Sequence, residues 1–335
     1  MYDRFHSALL GRPFAIADQD WDDRAPIGAG STQSDRASIA MTHVSDILGD
    51  ILRKVYRPRT ISGEAATALA NRLQEWRDSL PPDLNLHSLL RNSTGTRPQD
   101  RQVLQRMHTG YLHAVILLTR PFFLYVIASK IMKPTPRGAK EVASNGTIAS
   151  LANACVVSAT RTIEIADVLF VEGARPTRAP FLVYFVFYAA LILLLDVNCR
   201  NKSPSVNPAI AHAKSILASY GDVDPSSSRY LHVCEVLSAE IQHRAEVEQM
   251  GAADIANEWP IERQQPHVAS SVPPAEFVTP DSNLSLFFSG DGQLDTNQGS
   301  GGDNLSFDFD PAAYWDSLLM QSEGNFCGML LQPEF

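Results

Sequence analysis

Residues 181–195 form an uninterrupted apolar run that limits what this chain can fold into. The run has fifteen residues without a charged residue, a glycine or a proline, and it lies between Pro180 and Asp196. Such a segment either lies in a membrane or forms a helix buried on all sides in a large helical core. A membrane-spanning helix needs roughly 17–25 apolar residues, and Lys and Arg flank this run on both sides rather than on one. The sequence therefore favours the soluble core helix.

The acidic charge of the chain is concentrated in its last quarter. The net charge is −9, and residues 251–335 contain thirteen Asp or Glu residues and a single basic residue, Arg263. Residues 1–250 are therefore slightly basic. Near position 250 the composition also changes to Pro, Gly, Ser, Asn and Gln without helical periodicity, which is typical of a disordered segment. We predict two regions, a folded region of residues 1–250 and a disordered acidic tail of residues 251–335.

Apolar residues recur at helical spacing throughout the first region, and no convincing alternating strand pattern interrupts them. The fold class that this pattern predicts is all-α, as an irregular multi-helix domain. The predicted helices cover residues 36–56, 62–80, 100–130, 151–171, 181–195, 209–220 and 226–241.

Polar residues and glycine mark the ends of several predicted helices. A short apolar helix at the N-terminus ends at Leu10, with Gly11 at the left-handed position after it. Ser62 is a suitable N-cap for the helix that follows it, and Ser226–Ser228 offer N-caps for the last helix. Residues 83–99 have the polar composition of a loop.

Pro121 lies inside the predicted helix of residues 100–130. A proline there removes one backbone hydrogen bond and clashes with the carbonyl of Leu117, four residues earlier. We expect either a kink at Thr119 and Arg120 or two abutting helices. Arg120 has apolar neighbours, so it either pairs with a carboxylate or buries its stem while its guanidinium reaches water.

Sequence patterns typical of enzymes and of metal sites are missing. There is no G-x-S-x-G, P-loop, H-E-x-x-H or complete G-x-G-x-x-G pattern, and the nine histidines do not pair at metal-ligand spacing. Asp18 and Asp20 belong to an acidic cluster without the glycine and terminal glutamate of a calcium loop, which favours a solvated or arginine-paired loop. We predict a protein that is not an enzyme and that has no catalytic, cofactor or metal site in this chain.

The acidic tail combines carboxylates with aromatic and leucine residues. This composition is typical of an amphipathic activation segment, in which a transient helix presents one apolar face to a groove on a partner. An inert disordered tail with chance aromatics is the alternative. The candidate contact residues are Phe307, Phe309, Tyr314, Trp315, Leu318 and Leu319.

An ordered set of short segments resembles a known family. The segments are Leu10-Gly11-Arg12-Pro13 with Ile16, Asp18 and Asp20 after it, Leu73 to Leu84 with Trp76 and Pro81, Met107-His108 with Tyr111, and Arg120-Pro121-Phe122. Together they resemble the regulatory (middle homology) domain of fungal zinc-cluster transcription factors, nearest to the xylanolytic and cutinase-type activators. The resemblance covers residues 1–250.

The resemblance implies a nuclear regulator of RNA polymerase II transcription. Members of this family usually carry a six-cysteine zinc cluster that binds DNA, and these 335 residues contain no such cluster. The resemblance therefore implies an N-terminally truncated regulatory domain, with zinc and DNA contact through a missing domain. It also implies transcription coactivators as partners and allows a homodimer, and no membrane partner is expected. The alternatives are a membrane-associated helical protein built on residues 181–195 and an all-α metabolite-binding domain.

Overall fold

The computed structural model describes ten parts of the chain. They are residues 2–16, 30, 32–57, 60–90, 98–131, 146–171, 177–200, 204, 207–258 and 306–308. For residues 2, 60–61, 87, 90, 98, 130–131, 171, 248–258 and 306–308 the description is of the backbone.

The described residues form nine α-helices and confirm the all-α prediction. A π-helical turn, Leu52–Tyr56, follows α2, and a 3-10 turn, Pro82–Leu84, precedes α4. Two three-residue strands, β1 (Thr60–Ser62) and β2 (Ser306–Asp308), pair antiparallel with Ile61 opposite Phe307. The helices are α1 (Tyr2–Leu10), α2 (Gln33–Ile51), α3 (Gly63–Asp78), α4 (Leu86–Leu90), α5 (Pro98–Ile131), α6 (Gly146–Val171), α7 (Pro180–Cys199), α8 (Pro208–Tyr220) and α9 (Pro225–Glu258).

Two of the predicted helix ends are confirmed. Gly11 has a φ of +61° directly after α1, a backbone conformation that glycine adopts without strain. The hydroxyl of Ser62 accepts a hydrogen bond of 3.3 Å from the Ala65 N–H at the start of α3.

The predicted cap of the last helix was wrong. The carboxylate of Asp224 accepts the Ser226 N–H at 2.9 Å, and α9 begins at Pro225. Proline suits the first position of a helix because the missing N–H would have no helical partner there. The hydroxyls of Ser227 and Ser228 instead donate to the carbonyls of Leu217 and Gly221 at the end of α8.

The predicted loop of residues 83–99 is partly helical. The 3-10 turn and α4 occupy its first half, and Leu84 and Leu89 are fully buried. Because these elements are only three and five residues long, they carry too few apolar positions to show a helical period. The packing of Leu84 and Leu89 determines the conformation of the 3-10 turn and of α4.

The apolar run lies in α7, which packs against α5, α6, α8 and α9. Two segments of the described chain, Gln99–Ser129 and Pro180–Cys199, are long and apolar enough to cross a membrane, and 72% and 61% of their most apolar windows are buried against the rest of the chain. Phe185, in the middle of α7, is 2% exposed. This packing favours the core-helix interpretation over the membrane alternative.

The buried side chains form two hydrophobic clusters, and α5 contributes to both. The N-terminal cluster lies mainly among α1 to α5 and includes Leu118 and Phe122 of α5. The C-terminal cluster lies mainly among α6 to α9 and includes Ile116 and Leu124 of α5. The two clusters therefore meet along one helix, next to Pro121.

Helix α5 is continuous through Pro121, so the chain does not form two abutting helices here. The carbonyl of Leu117 has no N–H donor at position 121 because proline lacks one. The hydroxyl of Tyr56, at the end of the π-helical turn, donates to this carbonyl at 2.7 Å. A side chain from a neighbouring element thus replaces the backbone hydrogen bond that proline removes.

We expect the substitution Tyr56→Phe to lower the free energy of unfolding by about 1–3 kcal/mol, because a buried carbonyl loses its donor. Urea denaturation measures the change. In a Pro121→Ala background the restored N–H can serve Leu117, so the cost of Tyr56→Phe should become smaller. An equal cost in both backgrounds would contradict this account.

A carboxylate placed in the middle of α7 tests the core assignment. The substitution Phe185→Asp buries an unpaired charge, and its cost is comparable to the whole stability of a domain. We expect the cooperative thermal transition followed by circular dichroism to be lost. The control is Val236→Asp, at a side chain that is 43% exposed on α9, which should melt like the wild type. Normal melting of Phe185→Asp would refute the assignment.

Candidate functional site

Most of the predicted activation residues lie outside the described residues. These residues are Phe309, Tyr314, Trp315, Leu318 and Leu319. Asp18 and Asp20 of the N-terminal family motif also lie outside the described residues. The backbone of Phe307 lies in β2, opposite Ile61. The activation segment therefore stays a prediction.

The segment Gly11-Arg12-Pro13 folds back on α1. The Arg12 N–H donates to the Ser7 carbonyl at 3.2 Å, and the Ser7 hydroxyl donates to the Pro13 carbonyl at 3.3 Å. These contacts fix the direction in which the chain leaves the helix. The three residues thus have a structural role at the end of α1.

Asp3 and Arg4 hold the segment that follows Pro13. The Asp3 carboxylate accepts the Ala15 N–H at 3.0 Å. Arg4 is 3% exposed, pairs with Asp3 at 2.8 Å, and donates to the Ile16 carbonyl at 2.9 Å. The Arg4 guanidinium also lies 4.0 Å from the centre of the Phe14 ring. Sequence reasoning missed this pair, since an Asp-Arg dipeptide in a first helical turn is common on exposed surfaces.

Segments that carry the family resemblance meet in the N-terminal cluster. Trp76 stacks on Tyr111 with 4.9 Å between ring centres, and its indole N–H donates to the Ala40 carbonyl at 2.8 Å. His108 donates from Nε2 to the Leu84 carbonyl at 2.9 Å. Burial lowers the pKa of His108 to about 4, although the hydrogen bond to Leu84 raises it. These residues are part of the core.

A stripe of polar residues follows one face of α5 and is the most unusual feature of the interior. Each member lies three, four or seven residues from at least one other member, so the set occupies one side of the helix. Two residues of this face, His113 and Arg120, contact aromatic residues of α7. We call Phe181, Tyr184, Phe185 and Tyr188 of α7 the aromatic stripe. The polar stripe consists of Gln102, Gln105, Arg106, Thr109, His113 and Arg120.

The middle of the polar stripe is fixed by hydrogen bonds. Gln105 is 2% exposed, and its amide Nε2 donates to the carbonyls of Ile165 at 3.0 Å and Ala166 at 3.2 Å on α6. The hydroxyl of Thr109 donates to the Gln105 carbonyl at 2.8 Å. These contacts hold α5 and α6 in register. They also satisfy donors that would otherwise be costly to bury.

His113 is the member of the polar stripe that contacts three residues of the aromatic stripe. Its ring stacks on Phe185 with 4.4 Å between centres, and it meets Tyr184 and Tyr188 edge-on at 5.4 and 5.5 Å. His113 is 1% exposed, and neither ring nitrogen has a hydrogen-bond partner among the described residues. Burial, and to a lesser degree the charge of Arg120, lowers the pKa of His113 to about 3. The imidazole is therefore neutral at physiological pH.

Arg120 does not pair with a carboxylate of the described chain. Its half-buried guanidinium lies 5.0 Å from the centre of the Tyr56 ring and 5.4 Å from that of Tyr188. Its Nε is buried without a hydrogen-bond partner among the described residues. Neither sequence-based expectation for Arg120 included these aromatic contacts, because the partners come from α7 and from the turn after α2.

The buried groups near Arg120 are poorly suited to acid–base or nucleophilic chemistry at neutral pH. Burial raises the pKa of the Cys155 thiol to about 12, so the thiol stays protonated, and His113 stays neutral. Among the described residues no three His, Cys, Asp or Glu side chains are grouped so that they could hold a metal ion.

A cleft of about 290 Å³ lies where the polar stripe meets the start of α7. Two arginines line it, Arg106 on α5 and Arg178 just before α7, together with Phe181 and Phe185 of the aromatic stripe. None of the lining residues that the structure describes is an Asp or a Glu. Sequence reasoning missed this cleft, although the polar positions 102, 105, 106 and 109 within an apolar helix were a signal for it.

Two curated yeast proteins match part of this chain. Over 138 residues it is 31% identical to Filamentous growth regulator 27 of Candida albicans, in a match that covers 38% of this chain and 18% of the relative. Over 144 residues it is 26% identical to Activator of stress genes 1 of Saccharomyces cerevisiae, covering 37% of this chain and 14% of the relative. The chain thus spans less than a fifth of the length of either relative. No family model and no solved structure matches it.

We expect His113 to make stability depend on pH. Its pKa is about 3 in the folded state and about 6.5 in the unfolded state. The unfolded chain therefore takes up the proton first, and stability falls as the pH drops below 6.5. Between pH 7 and pH 5 this group should account for about 2 kcal/mol of lost stability.

Chemical denaturation of the wild type and of His113→Gln at both pH values measures the contribution of His113. The variant should lose less stability than the wild type over this interval, whatever its absolute stability. The control is His243→Gln, at an exposed histidine of α9, which should keep the wild-type pH dependence. An unchanged pH dependence in His113→Gln would contradict the assigned protonation state.

Proposed function

We propose that this chain is the regulatory and activating portion of a fungal transcription regulator that acts in the nucleus on RNA polymerase II transcription. In this proposal residues 1–250 form the regulatory domain. Residues 251–335 form the activation segment and contact transcription coactivators.

The observation that carries the proposal is the similarity to the two yeast proteins. Their names describe one as a regulator of filamentous growth and the other as an activator of stress genes. The matches extend over 138 and 144 residues, which is the size of a folded domain rather than of a short motif. The resemblance of the ordered segments from Leu10 to Phe122 to zinc-cluster regulators points the same way.

The all-α fold supports this assignment. Trp76, Tyr111 and His108, which carry part of the family resemblance, contact one another or their neighbours in the N-terminal cluster. If the resemblance of these segments were due to chance, there would be no reason for them to pack together. The packing of α5 and α7 against other helices also weighs against the membrane-associated alternative.

DNA recognition in this proposal lies outside the 335 residues. A zinc cluster of the family type, in the same polypeptide or in a partner, would bind DNA, and a homodimer would allow two half-sites to be read. The chain described here would then supply the regulatory response and the contact with coactivators. Pairing of β2 with β1 gives the tail one defined contact with the helical region.

The activation segment can be tested in a fusion. Residues 251–335 joined to an unrelated DNA-binding domain should activate a reporter gene. Replacing Trp315, Leu318 and Leu319 together by Ala should reduce activation by about tenfold or more, because three apolar anchors are lost from one face.

A matched triple substitution controls for general effects on the tail. Leu284, Leu286 and Phe287 form another apolar group in the same segment, and their replacement by Ala should leave most of the activation intact. Protein abundance must be equal in all fusions. The hypothesis fails if the wild-type segment is inactive or if the Trp315 triple variant activates like the wild type.

A further inference from the structure

We propose that Ser62 is a phosphorylation site and that its modification releases the acidic tail from the helical region. Ser62 is the last residue of β1 and lies opposite Ser306 of β2, the strand through which the tail contacts this region. The enzyme class is a serine/threonine kinase that requires an arginine three residues before its target, here called an arginine-directed kinase. This inference does not depend on the role in transcription.

The sequence of β1 and of the residues before it fits an arginine-directed kinase. Residues 57–62 read R-P-R-T-I-S, so Arg59 lies three residues before Ser62 and Arg57 lies three residues before Thr60. Such kinases bind the guanidinium of this arginine in an acidic subsite, because arginine forms paired, charge-assisted hydrogen bonds with carboxylates. The segment therefore contains the required spacing twice.

Exposure distinguishes Ser62 from other hydroxyls with this spacing whose side chains the structure describes. Ser62 is exposed, and its backbone is extended, with φ of −85° and ψ of 124°, as in peptides bound to kinases. An arginine also lies three residues before Ser7 and before Thr109, but these residues are only 6% and 1% exposed. A kinase can therefore reach the Ser62 hydroxyl without unfolding a helix.

The reaction is transfer of the γ-phosphoryl group of ATP to Ser62. The hydroxyl oxygen forms a bond to the γ-phosphorus, the bond from this phosphorus to the oxygen bridging to the β-phosphate breaks, and ADP leaves. The hydroxyl proton passes to a carboxylate base of the kinase. The product carries about 1.5 to 2 negative charges at neutral pH. Its oxygens can still accept the Ala65 N–H that Ser62 now accepts at 3.3 Å, so α3 keeps its cap.

The charges around the unmodified strand pair are complementary. Lys54 and Arg57 are exposed shortly before β1, whereas β2 ends at Asp308 and Asp310 follows it. Because the strands are antiparallel, the acidic end of β2 lies at the start of β1, opposite Thr60. Attraction between these opposite charges favours the pairing.

A phosphate at Ser62 opposes the pairing. Residues 62 and 308 belong to the same face of the strand pair, one diagonal step apart, because side chains alternate along each strand. The phosphate therefore repels the acidic end of β2, and it also attracts the basic residues before β1 in place of the tail. Each strand has only three residues, and a two-stranded pair of this size is marginally stable in water. A local change of charge is therefore enough to open it.

Treatment of the full chain with an arginine-directed kinase and ATP, followed by mass-spectrometric mapping, tests the site. We expect phosphate at Ser62 and about tenfold slower incorporation in the variant Arg59→Ala. The control is Arg57→Ala, which removes the same charge from the same segment but keeps the arginine three residues before Ser62. Its rate at Ser62 should be close to that of the wild type. An unmodified Ser62, phosphate on Thr60 alone, or equal rates in both variants would refute the assignment.

Amide hydrogen exchange of residues 306–308 measures the release of the tail. We expect phosphorylation to raise the exchange of the paired amides about fivefold at low salt and by less at high salt, which screens the repulsion. Circular dichroism should show unchanged helix content. The control is Ser62→Asn treated with the same kinase, because asparagine also caps a helix but takes no phosphate. Its amides should stay protected. Unprotected amides before phosphorylation, or unchanged protection after it, would overturn the proposal.

Discussion

The continuity of α5 across Pro121 is the constraint on which the rest of the described structure depends. This helix supplies Leu118 and Phe122 to the N-terminal cluster and Ile116 and Leu124 to the C-terminal cluster. A break at Pro121 would separate the two clusters. The hydroxyl of Tyr56 donates to the Leu117 carbonyl, which Pro121 leaves without a backbone donor. The helix is therefore continuous, and both clusters pack against it.

The same helix also carries the main departure from apolar packing. The buried groups of the polar stripe lower stability, since His113 and Nε of Arg120 lose water without gaining a hydrogen-bond partner in the described chain. Proteins tend to break packing rules of this kind at functional sites. Here the polar stripe leads to a cleft that is lined by two arginines and two phenylalanines. The buried polar groups that lower stability and the cleft therefore lie on the same face of α5.

The sequence predicted the long helices well and the local details less well. Strong apolar periodicity indicated α3 and α5. Apolar composition alone indicated α7, because a long apolar run without Gly or Pro can adopt few structures other than a buried or membrane helix. The short α4, the Asp224 cap and the aromatic contacts of Arg120 were missed. Each of these features either depends on contacts with residues distant in sequence or involves too few residues to show a periodic sequence pattern. The cleft was missed for the same reason, since its wall comes from α7 and its charges come from α5 and the segment before α7.

The proposed role in gene regulation is supported by the similarity to two yeast regulators. The helical region built around α5 and the acidic aromatic composition of the tail are consistent with it. The most direct test is rapid depletion of the chain in living cells, with nascent transcription and chromatin occupancy followed over the first minutes. The account predicts that a defined set of genes changes transcription at once and that the tagged chain crosslinks to their promoters before depletion. Unchanged nascent transcription, with the chain recovered from membranes rather than chromatin, would contradict it.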